Sequence, residues 1–112
     1  MGDYIQRETP DIPAVLVGLV GQTIWTMDRR QPNRILEVSA DKVLVATGRS
    51  PDGKPVKIAV LQDAADRLYR DGELKISVRN VGYRSAFVGA VLATLPGTVV
   101  ELRPRRIRLV VS

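Results

Sequence analysis

Residues 73–111 read ELKISVRNVGYRSAFVGAVLATLPGTVVELRPRRIRLVV, and the order of elements in this stretch decides the fold. Glu73 to Val78 alternates, with Leu74, Ile76 and Val78 on one face and Glu73, Lys75 and Ser77 on the other, which predicts a strand. Ser85 opens an apolar helix that runs to Leu95, where Pro96-Gly97 stops it. The chain then closes with a hairpin: Thr98 to Arg103, a Pro104-Arg105 turn, and Arg106 to Val111. Alternation turns Val100, Leu102, Ile107, Leu109 and Val111 inward. It turns Arg103, Arg106 and Arg108 outward and leaves Arg105 at the tip.

Upstream, Val56 to Arg70 reads as an amphipathic helix with Ile58, Leu61, Ala65 and Leu68 at helical spacing. Its outer face carries the i,i+4 pairs Asp63–Arg67 and Asp66–Arg70, a self-neutralising scaffold surface. Before it, Ser50-Pro51-Asp52-Gly53 has the residues of a tight turn. Arg34 to Val38 and Lys42 to Thr47 are strands joined by Ser39-Ala40-Asp41, and Thr23 to Met27 is β-prone. Asp11 caps an apolar helix from Ile12 to Val20. The expectation is an α+β fold: a disordered N-terminus over residues 1–10, then one small domain over 11–112. Its helix, strand, helix and C-terminal β-hairpin stand in winged-helix-like order, preceded by an N-terminal helix and a β-hairpin. Only Arg79 to Arg84 is left for the middle helix of that order.

Composition narrows the chemistry. The 112 residues contain no Cys and no His, which removes disulfides, thiolate zinc sites, cysteine nucleophiles and histidine-dependent triads or metal sites. No apolar run approaches the roughly 20 residues of a membrane span, and no secretory signal opens the chain. The expected location is the cytoplasm, with no membrane partner and no cofactor.

The net charge of +5 is unevenly placed. Residues 1–78 balance 11 basic against 11 acidic side chains, whereas residues 79–112 hold six arginines against Glu101 alone. Arginine offers a planar fork of donors suited to phosphate. Arg79, Arg84, Arg103, Arg105, Arg106 and Arg108 therefore suggest a polyanion-binding face, and double-stranded DNA is the expected ligand. A charged edge that keeps a sheet soluble explains the hairpin arginines equally simply.

Two further clusters join them. Gly82-Tyr83-Arg84-Ser85-Ala86-Phe87 places Arg84 and a hydroxyl at a helix start free of acids, a phosphate seat. The body of that helix carries a Phe87, Val88, Val91, Leu92, Leu95 stripe and a small stripe of Ala86, Gly89, Ala90 and Ala93. Such a helix belongs in the core, so contact with DNA falls to its N-terminus and to the hairpin, with affinity dominated by the phosphate backbone. Arg29, Arg30 and Arg34, in and after the polar loop Asp28 to Asn33, form a second candidate contact, and a charged turn explains them equally well. Trp25 reads as a core or interface anchor, since five aromatics are too few for a single-strand stacking surface.

Pro51-Asp52 followed by Glu73-Leu74-Lys75 matches the outline of a magnesium-dependent nuclease signature. Those carboxylates belong on neighbouring strands, and here a whole helix intervenes. The chain is read as a binding module, not an enzyme, and no metal site is assigned.

The runs Val43 to Gly53, Gly72-Glu73-Leu74 and Gly82 to Gly97 resemble a small accessory module of bacterial, especially actinobacterial, restriction-type and related defence proteins. The resemblance spans roughly residues 22–110. It implies a DNA-recognition or targeting domain, with a nuclease or helicase domain or subunit as partner. Arg84 and Ser85 fall inside the similar motif. The rival expectation is a protein-interaction or dimerisation module, a homodimer, motivated by the apolar Ile12–Val20 segment and Trp25.

Overall fold

The computed structural model describes residues 8–110, so the expectation of a disordered N-terminus lies largely outside the described residues. Helix α1 spans Ile12–Leu19. Four strands follow as an antiparallel meander in the order β1-β2-β3-β4: Thr23–Trp25, Pro32–Val38, Lys42–Ala46 and Lys54–Lys57. Helix α2, Ile58–Asp71, leads to β5 at Glu73–Lys75, a short α3 at Val78–Val81 and α4 at Ser85–Ala93. The hairpin β6, Thr98–Leu102, and β7, Arg105–Leu109, completes a second antiparallel sheet of order β5-β7-β6. From α2 onward the elements follow the winged-helix order, in an α+β domain with four helices and two antiparallel sheets.

One buried cluster unites both sheets. Ile35 and Val43 from the first meet Leu61 and Leu68 of α2, Val88 and Leu92 of α4, and Ile107 of β7. Helix α1 buries Ile12 and Leu16 against β2 and α2 but leaves Val17 and Val20 exposed, while Trp25 faces outward from β1 at 46% exposure. Of the expectation that Trp25 anchors the core or an interface, the core half is therefore corrected. The α1 cap also differs: Asp11 makes no side-chain cap bond, and the Ile12 amide donates instead to Gln62 Oε1 of α2 at 3.0 Å.

The expected helix from Val56 begins two residues later, because Lys54–Lys57 pairs with β3 as a fourth strand. Pro55 is tolerated there because β4 is an edge, where a missing N–H need break no ladder. The expected strand through Val78 stops at Lys75, and Ser77 caps α3 by accepting the Asn80 amide at 3.2 Å. That short helix fills the winged-helix position the sequence left open. Arg67 of α2 anchors it, donating to the Asn80 carbonyl at 2.9 Å and to Asn80 Oδ1 at 2.6 Å. The expected Asp66–Arg70 pair is replaced by Arg70–Asp71 at 2.9 Å, and Gln62 donates to Asp66.

Gly53 closes the β3–β4 turn, its amide donating to the Ser50 carbonyl at 2.9 Å. Its φ of +94° disfavours any L side chain, and a Cβ there would lie 2.8 Å from Leu44 Cγ and 3.0 Å from Leu36 Cδ1. Gly53→Ala should lose about 2 kcal/mol in urea denaturation, from left-handed strain and crowding together. A loss below about 0.5 kcal/mol would mean that the turn relaxes without consequence.

Candidate functional site

Two turns of the first sheet lie at the same end of the meander. The β1–β2 turn carries Asp28 and Arg29, and the β3–β4 turn carries Thr47, Gly48 and Arg49. Opposite them stand the entry to α4, with Tyr83 and Arg84, and the first residue of β7, Arg105. Between these parts lies an open cleft of about 630 Å³, with Asn33 and Phe87 also on its wall.

Four arginines, 29, 49, 84 and 105, line this cleft against the one carboxylate of Asp28. Asp28 reaches Arg105 Nη1 at 3.4 Å. Among the described residues no carboxylate pairs with Arg29, Arg49 or Arg84. The first turn of α4 opens on the same space, since Ala86 and Phe87 line it. That turn holds no acidic residue and its N-cap position, Arg84, makes no side-chain cap bond. The positive end of the helix dipole therefore adds to the guanidinium charge. Gly82, at φ +94°, turns the chain between α3 and α4 and lifts Tyr83 clear of the surface, 95% exposed at the rim.

The sequence candidates separate into groups. Arg29, Arg84 and Arg105 meet in the cleft. Ser85 does not line it: it is 6% exposed and begins the helix rather than capping it. Arg30, at φ +53°, and Arg79 and Arg103 are exposed outside the cleft. Arg34 stands between Thr23 and Ala46 on the sheet face opposite the buried Asn33 and Ile35.

The hairpin arginines require a correction. Arg106 donates to Glu101 Oε1 at 2.6 Å and to Glu73 Oε1 at 2.9 Å, and Arg108 lies 2.6 Å from Glu101 Oε2. The hydrogen bond from Arg106 holds the Glu101 carboxyl below the ordinary carboxylate range, and the Arg106 guanidinium is shifted up in turn. The outer face of the ribbon is thus an ion-paired surface, not an uncompensated one. Arg105 is not at the tip either. The loop is Arg103-Pro104, so Arg105 enters β7 opposite Leu102, on the face of Ile107, and is thereby aimed at the cleft.

Arg49 was not among the residues the sequence singled out for binding. The nuclease outline finds no geometry here: Asp52 lies in the β3–β4 turn of one sheet and Glu73 on β5 of the other, bound to Arg106. Among the described residues no cluster of three acidic side chains could hold a metal ion, and no helix is long and apolar enough to cross a membrane.

No protein-family model, curated protein or solved structure matches the chain.

Proposed function

We propose that this domain binds double-stranded DNA through its phosphate backbone, seating phosphates in the cleft between the meander turns and the N-terminus of α4. The observation that carries the reading is the convergence of Arg29, Arg49, Arg84 and Arg105 from four separate segments, three of them without a carboxylate partner among the described residues. Bringing like charges together is unfavourable unless a counter-charge offsets it, and an anionic ligand supplies one. The open α4 dipole favours the same ligand.

A winged helix reads bases with its third helix in the major groove. Here that position is α4, and all its residues from Phe87 to Leu92 are buried. Met27, just after β1, covers the small stripe so closely that a Cβ on Gly89 would lie 2.7 Å from the Met27 sulfur. The helix body cannot enter a groove, so affinity comes from phosphate contacts and little sequence discrimination follows. Binding rather than catalysis is the proposed role, in the cytoplasm. Delivery of a nuclease or helicase domain or subunit of a restriction or defence system is the use that the sequence resemblance implies.

Duplex titration at two ionic strengths tests the reading. Neutralising about four phosphates gives a log–log salt slope near −3.6, so affinity should fall roughly a hundredfold between about 50 and 200 mM salt. Absence of binding at the lower salt, or an affinity indifferent to salt, would remove the proposal.

A further inference from the structure

The two sheets present four edge strands, and three are guarded against pairing with another chain. Strand β1 has three residues, β5 has three with Glu73 and Lys75 outermost, and β4 carries Lys54, Pro55 and Lys57. Short length, edge charges and proline are the usual means by which soluble proteins blunt an edge. Strand β6 is five residues long without proline, and its one charge, Glu101, is already held by Arg106 and Arg108. Its sequence is Thr98-Val99-Val100-Glu101-Leu102, it pairs with β7 through five consecutive residues without a bulge, and nothing pairs with its other side among the described residues. Val99, Val100 and Leu102 are 39%, 38% and 47% exposed.

We propose that β6 is a homodimer interface, pairing antiparallel with β6 of a second copy about a two-fold axis at Val100. Charge selects both the occupant and the register. A protein of net charge +5 repels its copies in general, but most of the charge on the outer face of this sheet is offset: Glu73 and Glu101 stand against Lys75, Arg106 and Arg108. Centred on Val100, the pairing sets Val100 against the partner's Val100, Thr98 against the partner's Leu102, and Val99 against the partner's Glu101. No like charges stand directly opposite, and the two Glu101 side chains, diagonal across the axis, each keep their own Arg106 and Arg108. Because Val99 stands beside Arg108 on β7, each Glu101 enters the row of the other copy's arginine. Centring on Glu101 would oppose two carboxylates, which is destabilising. Centring on Val99 would bring Pro96 into the ladder opposite the partner's Leu102, where it has no N–H to give. The Val100 register uses all five residues and joins the half-exposed Val100 and Leu102 of both copies into one apolar strip. The product is a six-stranded sheet with an isologous interface.

The absence of cysteine makes the test clean. Val100→Cys places one thiol opposite itself on the axis, and mild oxidation should yield a disulfide-linked dimer at least about tenfold faster than random collision allows. Val99→Cys, which would face the partner's Glu101, and Val17→Cys on the exposed side of α1 should cross-link only at the collisional rate. In sedimentation, the wild-type protein should be a dimer at about 100 µM, and Val100→Lys, which sets two ammonium groups face to face, a folded monomer by circular dichroism. A wild-type monomer at that concentration overturns the inference and leaves the edge to an extended segment of another protein. Equal cross-linking of the three cysteine variants overturns it too. Neither readout involves DNA, so failure here leaves the cleft untouched.

Discussion

Arg49→Glu combined with Arg84→Glu should abolish duplex binding at moderate salt, a loss of about a thousandfold. Each arginine–phosphate contact contributes roughly 1.5–3 kcal/mol as a charged hydrogen bond, and reversal adds repulsion to that loss. The two residues come from opposite walls of the cleft, the β3–β4 turn and the entry to α4, and neither has a carboxylate partner among the described residues. Their reversal therefore breaks no ion pair seen in the structure, and the urea midpoint should stay near that of the wild type. The informative comparison is Arg106→Glu with Arg108→Glu. Those guanidinium groups are already held by Glu73 and Glu101, so their reversal brings four carboxylates together and should lower stability. Affinity per folded molecule should change by less than about threefold, apart from the general effect of net charge. If the ribbon pair instead abolishes binding and the cleft pair does not, the interface lies on the outer face of β7 and the cleft is incidental.

How legible this site was in the sequence depended on one strand. In a meander, alternate turns share an end, so the β1–β2 and β3–β4 turns must be neighbours. Reading Val56 to Arg70 as one helix removed β4, and with it the reason to set Arg49 beside Arg29. Lys54-Pro55-Val56-Lys57 offers only one buried residue, too short a pattern to distinguish a strand from the approach to a helix. The β3–β4 turn itself was plain from Ser50-Pro51-Asp52-Gly53. A second strand leaving that turn was the physical consequence to draw from it.

The hairpin was legible as a hairpin but not as a charge distribution. Moving the loop by one residue, to Arg103-Pro104, sets Glu101 opposite Arg106 and Val99 opposite Arg108. The Glu101–Arg106 pair then follows from register alone. The contribution of Glu73 does not, because it requires β7 to lie between β5 and β6, which is decided by how the helices pack and not by any local pattern. A count of charges along the chain therefore overstated the free charge of the ribbon. The burial of α4, by contrast, was readable from its two apolar stripes, and Met27 against Gly89 shows what the small stripe accommodates. The ends of α2 and α4 were likewise legible, since Gly72 and Pro96-Gly97 punctuate the chain whatever the tertiary packing, whereas alternation hid Ser77 inside a strand and with it the α3 that it caps.

Phe87 ties the cleft to the core, and its removal should have the largest effect on stability of any change considered. The ring is 4% exposed, on the first turn of α4, and shares the central cluster with Val88 and Leu92 while part of it forms the cleft wall. Phe87→Ala should cost about 3–5 kcal/mol, the transfer term plus the cavity left behind, against a total of roughly 5–15 kcal/mol for a domain of ordinary stability. Phe87→Leu, which keeps most of the volume, should cost under about 1.5 kcal/mol. Urea denaturation of the two variants separates a packing role from a surface role. A purely surface ring would leave both midpoints where they are. If the ring also fixes the start of α4, and through it Arg84, then Phe87→Leu should keep its salt slope while its affinity drops a fewfold, because the phosphate contacts remain but are less rigidly held. A slope that falls by a full unit in Phe87→Leu would show instead that Arg84 leaves the cleft when its neighbour's packing changes.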